Sequence, residues 1–244
     1  MKSGMAIRRN RRLLVAGVVA VGAYAVGDLL SGLLYGGYSF RDQAISELTA
    51  IGSPVRPLMV AVIMVHGLLL VAFGVGVWRS GDRRSLRLVG PFLITANMVG
   101  LILHPVFPMH SRGMAIGFTD TMHAALTAVF SLFVFVALLL AAVGYPGWFR
   151  LYSIGTVLVL AGFGMLSSLA IPNIAKNLPT PWMGASERIN AYAYFGWLVV
   201  LAVILIRRSR TQATPHSGGV HQEVRRDAWR QKCRVHDSSV ADQP

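Results

Sequence analysis

Six times along its length this chain carries a stretch of roughly twenty mostly apolar residues, the length a helix needs to cross the hydrocarbon of a bilayer. The windows fall at about 13–34, 58–78, 88–107, 120–143, 151–171 and 191–206. Lipid offers no partner to a backbone amide, so each window is expected to be a helix. The other structure that meets this condition is a closed barrel, and its roughly ten-residue strands of alternating polarity are not found here. Charged residues make up 14% of the 244, against about a quarter in a soluble domain. The fold class is therefore all-α: a polytopic transmembrane bundle of six spans, with one short amphipathic helix on its outer surface.

A net charge of +13 could suggest nucleic acid. The basic residues instead gather beside span ends, and no nucleic-acid-binding module is legible, so no nucleic-acid partner is expected. One side carries Lys2, Arg8, Arg9, Arg11 and Arg12, then Arg79, Arg83, Arg84, Arg87, Arg150, Arg207, Arg208 and Arg210. The other carries only Arg41, Arg56, Arg112, Lys176 and Arg188. The positive-inside rule places the richer side in the cytoplasm. That predicts a multi-pass plasma-membrane protein with both termini cytoplasmic and membrane lipids as its surroundings. Trp78, Trp148 and Phe149 fit an inner aromatic belt, and Tyr35, Tyr38, Tyr192, Tyr194 and Trp197 an outer one.

Residues 1–12 read as a basic cytoplasmic segment, 13–207 as the membrane domain and 208–244 as a polar, disordered cytoplasmic tail holding the single Cys233. The N-terminus has the look of a signal peptide, with Ala23-Tyr24-Ala25 as a cleavage motif. Its apolar run continues through Leu29, Leu30, Leu33 and Leu34, too long for a signal core, so the first span is expected to stay. Ala23, Gly27 and Ser31 form a small-residue ridge at four-residue spacing, suited to internal helix packing or to a dimer seam. No motif speaks to oligomeric state.

Scarce charge collects in "YSFRDQAISELTAIGSP", Tyr38 to Pro54. Ser39 and Asp42 fit a capping pattern, Ile45, Leu48 and Ile51 recur on one helical face, and Gly52 with Pro54 supplies a stop. These features predict the short outer helix, which brings Asp42 and Ser46 to a common face with Glu47 close by.

"YSFRDQAISELTAIGSP" after the first span, "HPVFPMHSRG" after the third and "DTMH" opening the fourth resemble the bacterial membrane family catalogued as domain of unknown function 998. The likeness spans roughly residues 12–207. It implies an integral membrane protein of about six helices and no assigned activity.

Ionisable residues concentrate on the side opposite the termini: Asp28, Asp42, Glu47, His104, His110, Asp120, His123, Glu187 and Arg188. Asp82 is the one acidic residue before the tail assigned to the cytoplasm. Charge at membrane depth is costly and takes a partner or faces a cavity. Asp28, Arg41, Asp42, Glu187 and Arg188 are candidates to hold a lipid or small-molecule headgroup. The alternatives are an Asp28–Arg188 pair, or a Glu187–Arg188 pair that braces the third loop. Asp120 and His123 share a helical face, and with His104 and His110 they form a ligand set that zinc accepts. Asp120 as a helix cap is the plainer account. A metal-free alternative uses Ser46 as nucleophile and His123 as base, with Asp120 or Asp42 orienting it and Glu47 beside them. Three classes of function follow: a lipid- or envelope-directed hydrolase or binder, a structural or partner-binding membrane protein, and a small-solute transporter.

Overall fold

The computed structural model describes residues 2–81 and 83–211. Asp82 and the tail beyond residue 211, Cys233 included, lie outside the described residues. The chain divides into two units, Met1–Arg207 and Arg208–Pro244; of the second, only residues 208–211 are described, as the end of a helix. Among the described residues six long helices run in order: α1 Lys2–Leu34, α2 Arg56–Ser80, α3 Arg84–Val106, α4 Phe118–Gly144, α5 Trp148–Ala175 and α6 Met183–Thr211. Each contains a stretch long and apolar enough to cross a membrane. The protein is an all-helical, membrane-embedded six-span bundle, as the apolar windows require.

Connections differ sharply between the two ends. On the terminal side, the links 81–83 and 145–147 are three residues each. Gly147, at φ +87°, makes the second of these turns in a left-handed conformation that favours glycine. The distal loops 35–55, 107–117 and 176–182 are longer and carry most of the polar residues. The sequence thus invests its irregular backbone at one end.

Helix α6 packs against α1, α2, α4 and α5. Trp197, Leu198, Leu201 and Ala202 are fully buried. Phe195 meets Tyr24 of α1 and His66 of α2, Tyr194 meets Phe130 of α4, and Trp197 stacks on Phe149 of α5. The Trp197 indole N–H donates to Ser153 Oγ at 2.9 Å, satisfying a polar atom deep in the bundle. Trp197 and Tyr194 are thus core residues and not part of an interfacial belt. Likewise His66 Nδ1 donates to the Ala20 carbonyl at 3.0 Å, one interhelical bond that meets the polar need of a buried imidazole.

Because lipid is as apolar as leucine, helices in a membrane gain from close backbone approach rather than from escaping water. The ridge of α1 serves that purpose internally: Gly27 faces Val62 of α2, and Ser31 is fully buried. Gly90 of α3 lies so close to α2 that an added Cβ would sit 2.6 Å from the Gly74 carbonyl oxygen.

Segment 39–51 departs from the expected amphipathic helix. Ser39 to Gln43 form a turn, closed by the Gln43 N–H on the Ser39 carbonyl at 2.8 Å. The helix that follows is a 3-10 turn, Ile45–Thr49. Ile45 and Leu48 are buried as the pattern required, but Ile51 is 40% exposed. The cause is the Ile51 N–H, which bonds the Met109 carbonyl at 2.8 Å and leaves the helix to pair with the second distal loop.

Gly90→Ala is expected to destabilise the protein by about 1–3 kcal/mol through overpacking, read as a lowered unfolding midpoint in detergent. The control Gly155→Ala, where an added Cβ meets nothing described within 4 Å, should be neutral or stabilising.

Candidate functional site: a polar cap on the distal face

Gly184, Arg188 and Tyr192 recur every four residues and so share one face of α6. Arg188 grips Asp28 of α1 with two parallel bonds, Nε to Oδ2 at 3.0 Å and Nη2 to Oδ1 at 2.8 Å. The Tyr192 hydroxyl adds a third bond to Asp28 at 3.0 Å. Arg188 reaches the first loop as well: Nη1 donates to the Phe40 carbonyl at 2.9 Å and Nη2 to the Tyr38 hydroxyl at 3.0 Å. Its guanidinium also stands 4.7 Å from the Phe40 ring centroid. A bidentate guanidinium–carboxylate pair is among the strongest side-chain hydrogen-bonding arrangements, and at 13% and 3% side-chain exposure neither group is free for a ligand. Burial pushes the Tyr38 phenol well above its usual range, with Arg188 only partly offsetting it, so Tyr38 stays protonated and donates to the Ala44 carbonyl at 2.8 Å.

A second node centres on Glu47. Arg112 of the second loop donates to it from Nε at 3.1 Å and from Nη2 at 2.8 Å, and the Ala44 N–H at 3.0 Å caps the 3-10 turn on the same carboxylate. Arg112 continues into the third loop, to the Leu178 carbonyl at 2.9 Å and Thr180 Oγ1 at 2.8 Å. Thr180 in turn donates to the Asp42 carbonyl at 2.7 Å. Glu187 accepts the Ile45 N–H. The expected Glu187–Arg188 brace is therefore not formed: Glu187 receives the start of the 3-10 turn, while Arg188 goes to Asp28. Gly184 makes the closest approach, since a side chain there would collide with the Phe40 and Gln43 carbonyls.

At the rim, Arg41 and Asp42 pair at 2.9 Å and 3.0 Å, and the Trp182 N–H donates to Asp42 Oδ1 at 3.1 Å. Arg41 and then the Trp182 N–H hold the Asp42 carboxyl down at about 2. Trp182 has φ +64°, costly for a bulky residue. The Asp42 bond and the Arg41 guanidinium 5.3 Å from its ring hold it there.

The four candidate metal ligands divide into two pairs. Asp120 accepts the His110 N–H at 2.7 Å, its Oδ2 lies 2.6 Å from His110 Nδ1, and it accepts the Gly117 N–H at 2.8 Å. It thus closes the loop 110–117 onto the first turn of α4, an N-terminal capping role. His104 and His123 form the other pair, with ring centroids 5.4 Å apart. Among the described residues no group of three or more His, Cys, Asp or Glu side chains is placed to hold a metal ion. Nor does a hydrolytic triad assemble. His123 Nδ1 donates to the Phe107 carbonyl at 2.8 Å, Asp120 serves His110, and Ser46 offers its carbonyl to Thr49 at 2.9 Å. Among the described residues the Ser46 hydroxyl bonds neither His123 nor Asp120 nor Asp42.

Arg112, Thr180, Tyr38 and Tyr192 were not singled out by sequence. Arg112 carried a signal, as the one basic residue of the second loop beyond its histidines, and Tyr38 and Tyr192 carried one only as members of the outer aromatic belt; Thr180 carried none.

The family model described as Protein of unknown function (DUF998) matches residues 18–204. The chain belongs to this family and is a multi-pass membrane protein. No curated protein and no solved structure matches it.

Removing one partner of a buried ion pair leaves an uncompensated charge and costs about 3–5 kcal/mol. Arg188→Met should show a loss of that order in denaturant unfolding, and the double variant Asp28→Leu/Arg188→Met a smaller one. At the rim, the depressed Asp42 value means its contribution is present above about pH 4 and is lost as pH falls through about 2. Trp182 fluorescence, taken as parent minus Trp182→Phe, should titrate near 2 and stay flat in Asp42→Asn.

Proposed function

We propose that this DUF998 protein is a non-catalytic, multi-pass plasma-membrane protein of a bacterium, which presents a rigid polar cap on the outer face as a platform for binding. The observation that carries this reading is how the cap spends its charge. Asp28, Glu47, Asp120 and Glu187 each take their hydrogen bonds from another part of the same chain, and Arg112 and Arg188 are both bidentate to carboxylates. A catalytic site keeps a nucleophile, base or ligand position open for substrate. A brace closes such positions, and the buried carboxylates and guanidiniums of this cap are closed in that way. Its outward orientation, with both termini cytoplasmic, rests on the concentration of Lys and Arg beside the opposite span ends. Membrane lipids are the partners that such a position makes immediate.

A more specific reading, the binding of a single lipid headgroup at one place on this face, draws on one observation. His104 and His123 stand together at the distal ends of α3 and α4 without being consumed by the ion-pair network.

Two measurements test the platform reading. Amide hydrogen exchange should protect Ala44, Ile45, Ala50 and Ile51 as strongly as the spans, since a brace opens only with the bundle; rapid exchange there sinks it. Reconstituted protein incubated with a total envelope lipid extract should yield no product beyond one equivalent. Turnover that disappears in Ser46→Ala or His123→Ala would restore the hydrolase.

A further inference from the structure

Both histidines of the pair have one ring nitrogen whose state is fixed by its partner. His123 Nδ1 faces the Phe107 carbonyl, which can only accept, so Nδ1 carries a proton and, in the neutral ring, Nε2 carries the lone pair. The Thr49 hydroxyl gives its one hydrogen to the Ser46 carbonyl at 2.9 Å and therefore accepts from His104 Nδ1 at 3.2 Å. His104 Nε2 is then also a bare acceptor. Neither Nε2 has a hydrogen-bond partner among the described residues, and neither is among the partnerless atoms closed off from the surface. Two neutral imidazoles, rings 5.4 Å apart, present two unused acceptors at one place.

The setting of that place is lipid-facing. Ile102 is 48% exposed, Val106 56% and Phe118 73%. From Phe118 to Phe133, α4 has no fully buried residue among those described. Acceptors at the edge of an apolar surface suit a molecule that brings both acyl chains and hydrogen-bond donors. Asp120 adds negative charge one helical turn from His123, which favours a cationic donor.

We infer that the His104–His123 pair is a binding site for an outer-leaflet phospholipid with a primary ammonium headgroup, whose N–H groups donate to the two Nε2 atoms. The inference rests on the binding reading above and names its ligand. Phosphatidylcholine, whose quaternary ammonium has no N–H, lacks the donor. Phosphatidylglycerol offers hydroxyl donors without the cation.

The test uses the full chain in nanodiscs of phosphatidylcholine doped in turn with phosphatidylethanolamine or phosphatidylglycerol. Lipid retained through purification is counted by native mass spectrometry, and the histidine ring nitrogens are followed by 15N NMR. Phosphatidylethanolamine should be retained about fivefold over phosphatidylcholine, as expected for one to two added hydrogen bonds, and should shift both Nε2 resonances. His104→Asn and His123→Asn each preserve a short inward amide donor while deleting Nε2. Both should keep the parent's unfolding midpoint and bring retention to parity. Equal retention by the parent, or Nε2 resonances blind to phosphatidylethanolamine, overturns the site and leaves the platform reading standing. A preference for phosphatidylglycerol overturns the ammonium assignment. Headgroup release from the bound lipid would instead overturn the non-catalytic reading itself.

Discussion

The distal half of this protein depends on one buried ion pair. Arg188 and Asp28 come from helices at opposite ends of the chain and meet where water is scarce, so neither charge is tolerable without the other. Arg188 has more donors than Asp28 can accept, and the surplus reaches the Phe40 and Gly184 carbonyls and the Tyr38 hydroxyl. A pair that compensates two charges thereby also fixes a loop. The Glu47–Arg112 node repeats the device one loop further on, with Thr180 joining the third loop. The cap is thus two guanidinium forks, each holding a carboxylate on one side and carbonyl and hydroxyl oxygens on the other.

Close packing makes those forks possible. Tyr38, Phe40 and Gln43 can reach Arg188 because Gly184 lets the first loop lie directly on α6. At the other end of the bundle, three-residue links leave no comparable structure to brace. The asymmetry between the ends follows from loop length, and loop length decides where polar side chains can converge.

Much of this was legible in the sequence. Six apolar windows gave six helices, since lipid admits no other reading of them, and most helices outrun their windows at the polar ends, α1 beginning at Lys2 and α6 at Met183. The concentration of ionisable residues at the distal end was legible too, as was an Asp28–Arg188 pair among the alternatives. Partner choice was not. Glu187 precedes Arg188 directly, but adjacent helical residues point about 100° apart, so Arg188 faced α1 and Glu187 the 3-10 turn. The histidine–aspartate set failed to converge for a similar reason. Asp120 was claimed by three donors of its own loop, a local demand that spacing along the chain does not reveal. The 3-10 turn was shortened by a long-range bond from Ile51 to Met109, and no local pattern signals that.

One consequence concerns how such a chain is made. Synthesis delivers α1 first and α6 last, so Asp28 enters the bilayer well before Arg188 exists. Throughout that interval the nascent protein carries a carboxyl group at membrane depth without its guanidinium, and the first loop lacks the helix it must rest on. A chain that stops before α6 keeps that defect permanently. The pair that locks the finished cap is therefore one that only a chain complete through α6 can form.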